Sequence, residues 1–196
     1  MGTVVADMTM SVDGFIADPD DGVGPLFDWY SEGSSEFTFP GDGREAHVSE
    51  ASAGHLQRMV SELGALVTGR RLYEVAHAWG GSHPAGVPVF VVTHDAPQTA
   101  PAGTTPFTFV TDGVASAIAQ AQAVAGERTV VIASANIARQ CLDEGLLDVI
   151  NVSLAPVMMG RGIPFFSGLE RYPVMLEDPV IVPGSRVTHM YFRVRR

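Results

Sequence analysis

The chain has 196 residues, 46% of them hydrophobic, enough for one domain whose core needs neither disulfides nor a metal staple. Its 22 Asp and Glu against 12 Lys and Arg give a formal net charge of -10, which repels nucleic acid and anionic membranes and excludes both as expected partners. A single cysteine, Cys141, cannot build a disulfide framework, the start of the sequence has no basic leader before an apolar run, and no stretch approaches the ~20 apolar residues of a membrane span, so a soluble cytoplasmic protein is expected.

Residues 3–10 alternate and predict an opening strand with Val4, Ala6, Met8 and Met10 on one face; Ser11-Val12-Asp13-Gly14 turns it, and 15–17 continue it briefly. Residues 18–25 (DPDDGVGP) and 31–44 have the composition of long exposed loops, the first of them mobile. Leu56, Met59, Val60 and Leu63 carry helical spacing, and Gly64 is placed to end that helix before a short strand at 65–67. Thr68-Gly69-Arg70-Arg71 then leads into a second helical stripe, Leu72, Val75, Ala76 and Trp79, closed by Gly80-Gly81.

Residues 87–92 and 107–110 are apolar strands, and Asp112 is positioned to cap a helix built on Val114, Ile118, Ala121 and Ala125. A β-branched strand at 129–132 runs into Ser134, whose hydroxyl is expected to cap a helix that begins near Ala135, buries Ile137, Ala138, Cys141 and Leu142, and stops at Gly145. Residues 149–155 alternate as a further strand, and 174–182 with 187–194 predict an antiparallel hairpin through Pro183-Gly184-Ser185. Strands alternating with helices imply a single α/β domain over 1–196, three layers around a mostly parallel sheet, with ligands gathered at the carboxyl ends of the strands.

Two strand ends have the chemistry of an anion cradle. Ala133-Ser134-Ala135-Asn136 offers small side chains at a helix N-terminus, where backbone N–H groups attract phosphate; a simple capping role for Ser134 is compatible with this. Thr68 to Arg71 adds two guanidinium groups, which either hold a phosphate bidentately or stand as solvated surface charges. The six histidines contain no His-x-x-x-His pair, so no metal site is expected, and the sequence has no phosphate-loop, Rossmann or nucleophile-elbow motif.

The motifs MTMSVDGFIA (8–17), LVTGRRLYE (66–74), PVFVVTH (88–94) and NIARQCLDEGLLDVINVSLAPVMMGRGIPFF (136–166) together resemble the dihydrofolate reductase-like superfamily, and within it the reductase-type domain at the C-terminal end of bifunctional riboflavin biosynthesis proteins. The resemblance spans nearly the whole chain. It implies a three-layer dihydrofolate reductase-like fold and NADPH lying across the strand ends, held by Ala17, Thr68, Gly69, Arg70, Arg71, Thr93, His94, Ser134, Ala135, Asn136 and Ile137. On the substrate side it implies Asp13, as a binding or protonating group, with Trp29, Gly160, Arg161 and Gly162; each also has a plain reading as turn, core or surface residue. The implied activity is hydride transfer to a small pterin- or ribosylaminopyrimidine-like heterocycle, and a homodimer is expected. One cysteine cannot supply the zinc deaminase site that the bifunctional proteins carry.

Two departures from the family pattern bear on activity. Relatives have a glycine pair where this chain has Ala133-Ser134, and a left-handed backbone there would cost about 1–2 kcal/mol per residue. The carboxylate that follows the tryptophan by five residues in true dihydrofolate reductases falls on Ser34, with Glu32 and Glu36 to either side. These features support an alternative, a non-catalytic nucleotide-binding protein on the same fold.

Overall fold

A computed structural model describes residues 2–195. The order along the chain is β1 (Val4–Met10), β2 (Phe15–Ala17), a 3-10 helix (Gly24–Ser31), β3 (Ser35–Thr38), β4 (Glu45–Val48), α1 (Glu50–Glu62), β5 (Leu63–Gly69), α2 (Arg70–Val75) and a second 3-10 turn (His77–Gly81). It continues with β6 (Val89–Val92), β7 (Phe107–Val110), α3 (Val114–Ala125), β8 (Thr129–Ile132), α4 (Ala135–Asp143), β9 (Val149–Leu154), β10 (Ile163–Pro164), β11 (Val180–Gly184) and β12 (Val187–Arg193).

Eight strands form one sheet in the order β11-β12-β9-β1-β8-β5-β6-β7. From β9 to β7 every pairing is parallel, while β12 is antiparallel to both β9 and β11, as the hairpin pattern requires. Alternation sorts the side chains. Val4 and Ala6 of β1, Val130 and Ile132 of β8, and Ile150 and Val152 of β9 pack into one core with α3 and α4. Val5, Leu66, Val89 and Val131 point to the opposite face, against Tyr73 of α2. The expected three layers and mostly parallel sheet are therefore present.

The structure corrects several local expectations. Residues 31–44 are not a loop throughout: β3 and β4 pair antiparallel, and their alternating Phe37, Phe39, Ala46 and Val48 pack on Trp29 and Leu56. A polar composition concealed a two-residue period. Gly64 does not end α1; Leu63 already has extended backbone, and Gly64 lies within β5. The cap of α3 is Gly113 at φ 104 rather than Asp112, and the C-terminal hairpin turns after Gly184, with Arg186 at φ 57. The second helical stripe breaks after α2, where His77, Ala78 and Trp79 all adopt left-handed backbone. Residues 18–22 are bonded into place, with Asp18 Oδ1 accepting from the amides of Asp20 and Gly22 at 2.8 Å each.

Gly64 serves a close approach instead. A Cβ there would lie 2.6 Å from Ala125 Cβ and 2.8 Å from Ala125 Cα, so α3 rests directly on β5. Gly64→Ala should cost about 1–3 kcal/mol through overpacking, lowering the melting temperature by roughly 2–12 °C; an unchanged melting curve would show that α3 yields freely.

Candidate active site

The sheet face beneath α1 is polar where it would ordinarily be apolar. Asp7 of β1 pairs with Asn151 of β9, which pairs with Tyr191 of β12; one step along, Thr9, Ser153 and His189 form a second row. In each strand these residues alternate with side chains committed to the α3–α4 core, among them Met8, Val152 and Met190. Polar groups out of water must be paired or held neutral, and this face does both. His189 is fully buried, its Nε2 3.0 Å from Ser52 Oγ and its Nδ1 2.9 Å from Ser153 Oγ. The His55 ring stacks on it with centroids 3.8 Å apart and exchanges a hydrogen bond with the Tyr191 hydroxyl. Burial, followed by the neighbouring His189, pulls His55 down to about 3; burial alone pulls His189 to about 4.

Asp7 is the carboxylate of this face. Burial pushes it up to about 6 against the opposing effect of a hydrogen bond from Asn151. Tyr30, from the first 3-10 helix, is raised by burial and then by Asp7 itself. Beside them the buried indole Nε1 of Trp29 and the Oδ1 of Asn151 have no hydrogen-bond partner in the fold. Unpartnered buried donors and acceptors are uncommon, and here one of them, on Trp29, belongs to the wall of a cavity.

That cavity has a volume of about 1080 Å³. Its lining includes Asp7, Trp29, Tyr30, His55 and Ser153 together with Arg71 and residues Ala133 to Asn136 of the β8–α4 turn, which the parallel β1–β8 pairing brings next to Asp7. Of the residues expected from sequence, Ala17, Trp29, Arg71, Ser134, Ala135 and Asn136 meet there. Ser134 occupies the N-cap of α4 but makes no capping bond through its side chain, contrary to expectation. Its backbone is extended at φ -164, and Ala133 is not among the residues at positive φ, so neither Cβ strains the turn. The close approach occurs one strand away: a Cβ on Gly69 would come 3.1 Å from Ser134 Oγ. Buried Thr68 donates to the Ala133 carbonyl at 3.3 Å and ties the two strand ends together.

The remaining expected residues lie elsewhere. Arg70 pairs with Glu74 at 2.5 Å and donates to the Asp95 carbonyl at 2.6 Å, with Thr93 Oγ1 at 3.5 Å, forming a separate cluster after β6 beside exposed His94. Ile137 is a core residue. Arg71 is held by Asp21 through two bonds of 2.7 and 3.0 Å, and that pairing raises its pKa.

Asp13 requires the largest correction. Its carboxylate accepts from the Ser11 hydroxyl at 2.6 Å and from the Met159 and Gly160 amides at 3.1 and 2.6 Å, and the Ser11 bond leads in lowering its pKa. Ionised and accepting three bonds, it brackets the β1–β2 turn to the loop at 157–162 and does not line the cavity. Arg161 is exposed on that loop, while Gly162 presses on Ala17, whose carbonyl would be 2.1 Å from an added Cβ. Asp13→Asn should therefore speed amide hydrogen exchange at Met159 and Gly160 by roughly tenfold or more; unchanged protection there would refute the bracket.

The residues missed in sequence are Asp7, Tyr30, His55 and Ser153. For Asp7 and Ser153 the signal was present as polar pairs at alternate positions, Asp7/Thr9, Asn151/Ser153 and His189/Tyr191, within strands otherwise apolar; Tyr30 and His55, on the 3-10 helix and α1, carried none.

The eight-stranded sheet between two helical layers is a dihydrofolate reductase-like fold. Residues 2–178 match the RibD C-terminal domain, and the chain belongs to that family. Among solved structures, a protein of Shewanella sp. PV-4 named for riboflavin biosynthesis is similar over 99% of both chains, at 19% identity and a TM-score of 0.72. Dihydrofolate reductase from Enterococcus faecalis, complexed with NADP(H), is similar over 100% of this chain and 98% of its own, at 14% identity and a TM-score of 0.60. A Thermotoga maritima diaminohydroxyphosphoribosylaminopyrimidine deaminase/5-amino-6-(5-phosphoribosylamino)uracil reductase matches 99% of this chain at 11% identity and a TM-score of 0.62; 57% of that longer protein is covered. No curated protein matches the sequence.

Proposed function

We propose that the chain is a cytoplasmic, single-domain, NADPH-dependent reductase that delivers a hydride to a small pterin- or ribosylaminopyrimidine-like heterocycle. The observation that carries this reading is a single cavity running from the N-terminus of α4, uncapped by any side chain, to a carboxyl group on β1. The residues present fit a dinucleotide: the first amides of α4 suit a pyrophosphate, and Leu72, Val75 and Ala76 give the cavity an apolar wall. When bound, the dihydronicotinamide supplies the hydride. The chain's own residues do the rest. Ser134 to Asn136 orient the phosphates, Arg71 is available to them if it leaves Asp21, and Trp29, Tyr30 and Phe39 exclude water from the ring.

Both features behind the non-catalytic alternative lose force, because Ala133-Ser134 is unstrained and Asp7 supplies a carboxyl from a different element. The reading extends to a homodimer through edge strand β11, which leaves Val180 and Ile181 more than half exposed.

Thermal melting with each nucleotide tests the cofactor. NADPH at a hundredfold excess over its Kd should stabilise by about 2.7 kcal/mol, a rise of roughly 5–10 °C, and NADH should give less. Stabilisation by neither nucleotide would defeat the reductase reading.

A further inference from the structure

One side chain of the cavity wall has no part in holding a dinucleotide and is more firmly fixed than a plain wall residue needs to be. His55 and Ser52 lie three residues apart on α1, so they share a face, and both meet His189. His189 is anchored at each ring nitrogen, Nε2 by Ser52 Oγ at 3.0 Å and Nδ1 by Ser153 Oγ at 2.9 Å, so its plane cannot turn. His55 lies flat on it, 9° from parallel, and the Tyr191 hydroxyl of β12 holds its Nδ1. The stack fixes the plane of His55, and the phenol fixes which edge is left over.

That edge carries Nε2, which has no partner among the described residues. The buried side-chain atoms closed off without a partner are Trp29 Nε1 and Asn151 Oδ1; His55 Nε2 is not one of them, and the opening beside it is the cavity that His55 lines. Burial, then His189 and then Arg58 keep the imidazole neutral, so it carries one proton. Tyr191 is kept un-ionised, chiefly by burial, and has a hydroxyl proton to give. An imidazole nitrogen is a far stronger base than a phenol oxygen, so the hydroxyl donates to Nδ1 and the ring proton sits on Nε2.

Building on the reductase reading, on which this rests, we propose that His55 is a specificity-determining residue: its Nε2–H, placed there by Tyr191, donates to an oxo oxygen of the substrate ring and rejects a ring with an amino group at that position. A neutral N–H with no lone pair can be met only by an acceptor. A carbonyl oxygen meets it, whereas an amino group sets N–H against N–H and leaves both donors stripped of water. Tyr191 acts through His55 and is a positioning residue. Without its hydroxyl the ring proton is free to move to Nδ1, and Nε2 then becomes an acceptor in part of the population.

Nitrogen NMR with isotope-labelled histidine reads the tautomer. The imidazole whose signals vanish in His55→Phe, or change in Tyr191→Phe, should have a protonated Nε2 and an unprotonated Nδ1. Lumazine, pterin, isopterin and 2,4-diaminopteridine, which place oxo or amino groups at the same two ring carbons in every combination, are then titrated calorimetrically into the NADPH-saturated protein at one neutral pH. At one of those carbons, oxo in place of amino should tighten binding roughly tenfold or more. In Tyr191→Phe and His55→Phe that ratio should fall to about threefold or less, while the melting shift given by NADPH alone persists. A proton on Nδ1, equal binding by oxo and amino probes, no binding by any of the four, or an oxo preference that survives in His55→Phe would overturn the role of His55 and leave the reductase reading standing. Failure of NADPH to stabilise the wild type would remove that reading itself. The wild-type titrations need no variant, so equal binding there decides against His55 even if neither substituted protein folds.

Discussion

Lowering the pH from 7 toward 4 should unfold this protein earlier than its carboxylates alone would require. His189 is fully buried and His55 is 3% exposed, and both are neutral in the fold, with values of about 4 and about 3. In the unfolded chain each returns to ~6.5. Between pH 6.5 and about 4 the unfolded state therefore binds protons that the folded state refuses, and stability falls with pH across that window. At pH 5 the loss is about 2 kcal/mol for each of these rings, and His83, which burial pulls down to about 4, adds about 2 kcal/mol, for about 6 kcal/mol in all. Asp7 acts in the opposite sense: its folded value is raised, so it takes up a proton below pH 6 that the unfolded chain does not yet want, and it returns about 1 kcal/mol by pH 5. The net loss of about 5 kcal/mol is a large part of the 5–15 kcal/mol typical of a domain. Urea unfolding at pH 7.5, 6.5 and 5 would measure it, and a slope below pH 6.5 no steeper than above it would be incompatible with three neutral rings. His55→Phe keeps the stack and removes one titration, so about a third of the histidine contribution should disappear.

The same histidines show what was readable in the sequence and what was not. Strands at 129–132, 107–110 and 149–155, the helix ended by Gly145 and the C-terminal hairpin follow from local periodicity, because burial on both faces forces continuous apolar strands and one apolar face forces helical spacing. The polar face could not be assembled that way. Asp7, Asn151 and Tyr191 are brought together by the strand order β12-β9-β1, in which the β1–β9 pairing joins residues more than a hundred positions apart. Within each strand the polar residue looks like a solvent-facing one, and only α1 lying over them turns that face into an interior. Asp13 failed for a related reason. An Asp-Gly turn is legible locally, but the Met159 and Gly160 amides that claim its carboxylate lie 146 and 147 residues away. Ser134, Ala135 and Asn136, by contrast, are placed along the cavity by the β8–α4 turn alone, which is local in sequence.

Trp29 is where the fold and the proposed site depend on one side chain, and two substitutions separate those dependences. It is 2% exposed, packs in the core cluster with Phe37, Phe39 and Leu56, and meets Tyr30 and His189 at ring-centroid distances of 4.2 and 5.2 Å. Trp29→Ala should cost about 3–5 kcal/mol, a fall in melting temperature of roughly 6–20 °C, because the β3–β4 hairpin, α1 and the cavity wall all close on the indole. Trp29→Phe behaves differently. The indole Nε1 has no partner in the fold, so removing it breaks no hydrogen bond, and the cost is confined to the smaller ring, about 1–2 kcal/mol. If the unpaired N–H is the donor that a bound heterocycle uses, Trp29→Phe should weaken binding of a pterin probe by about 1 kcal/mol, roughly fivefold. Its response to NADPH should remain that of the wild type, since the phosphates are assigned to α4. A Phe variant that binds the probe as tightly as Trp would mean that the donor faces no ligand atom and that Trp29 acts through its ring alone.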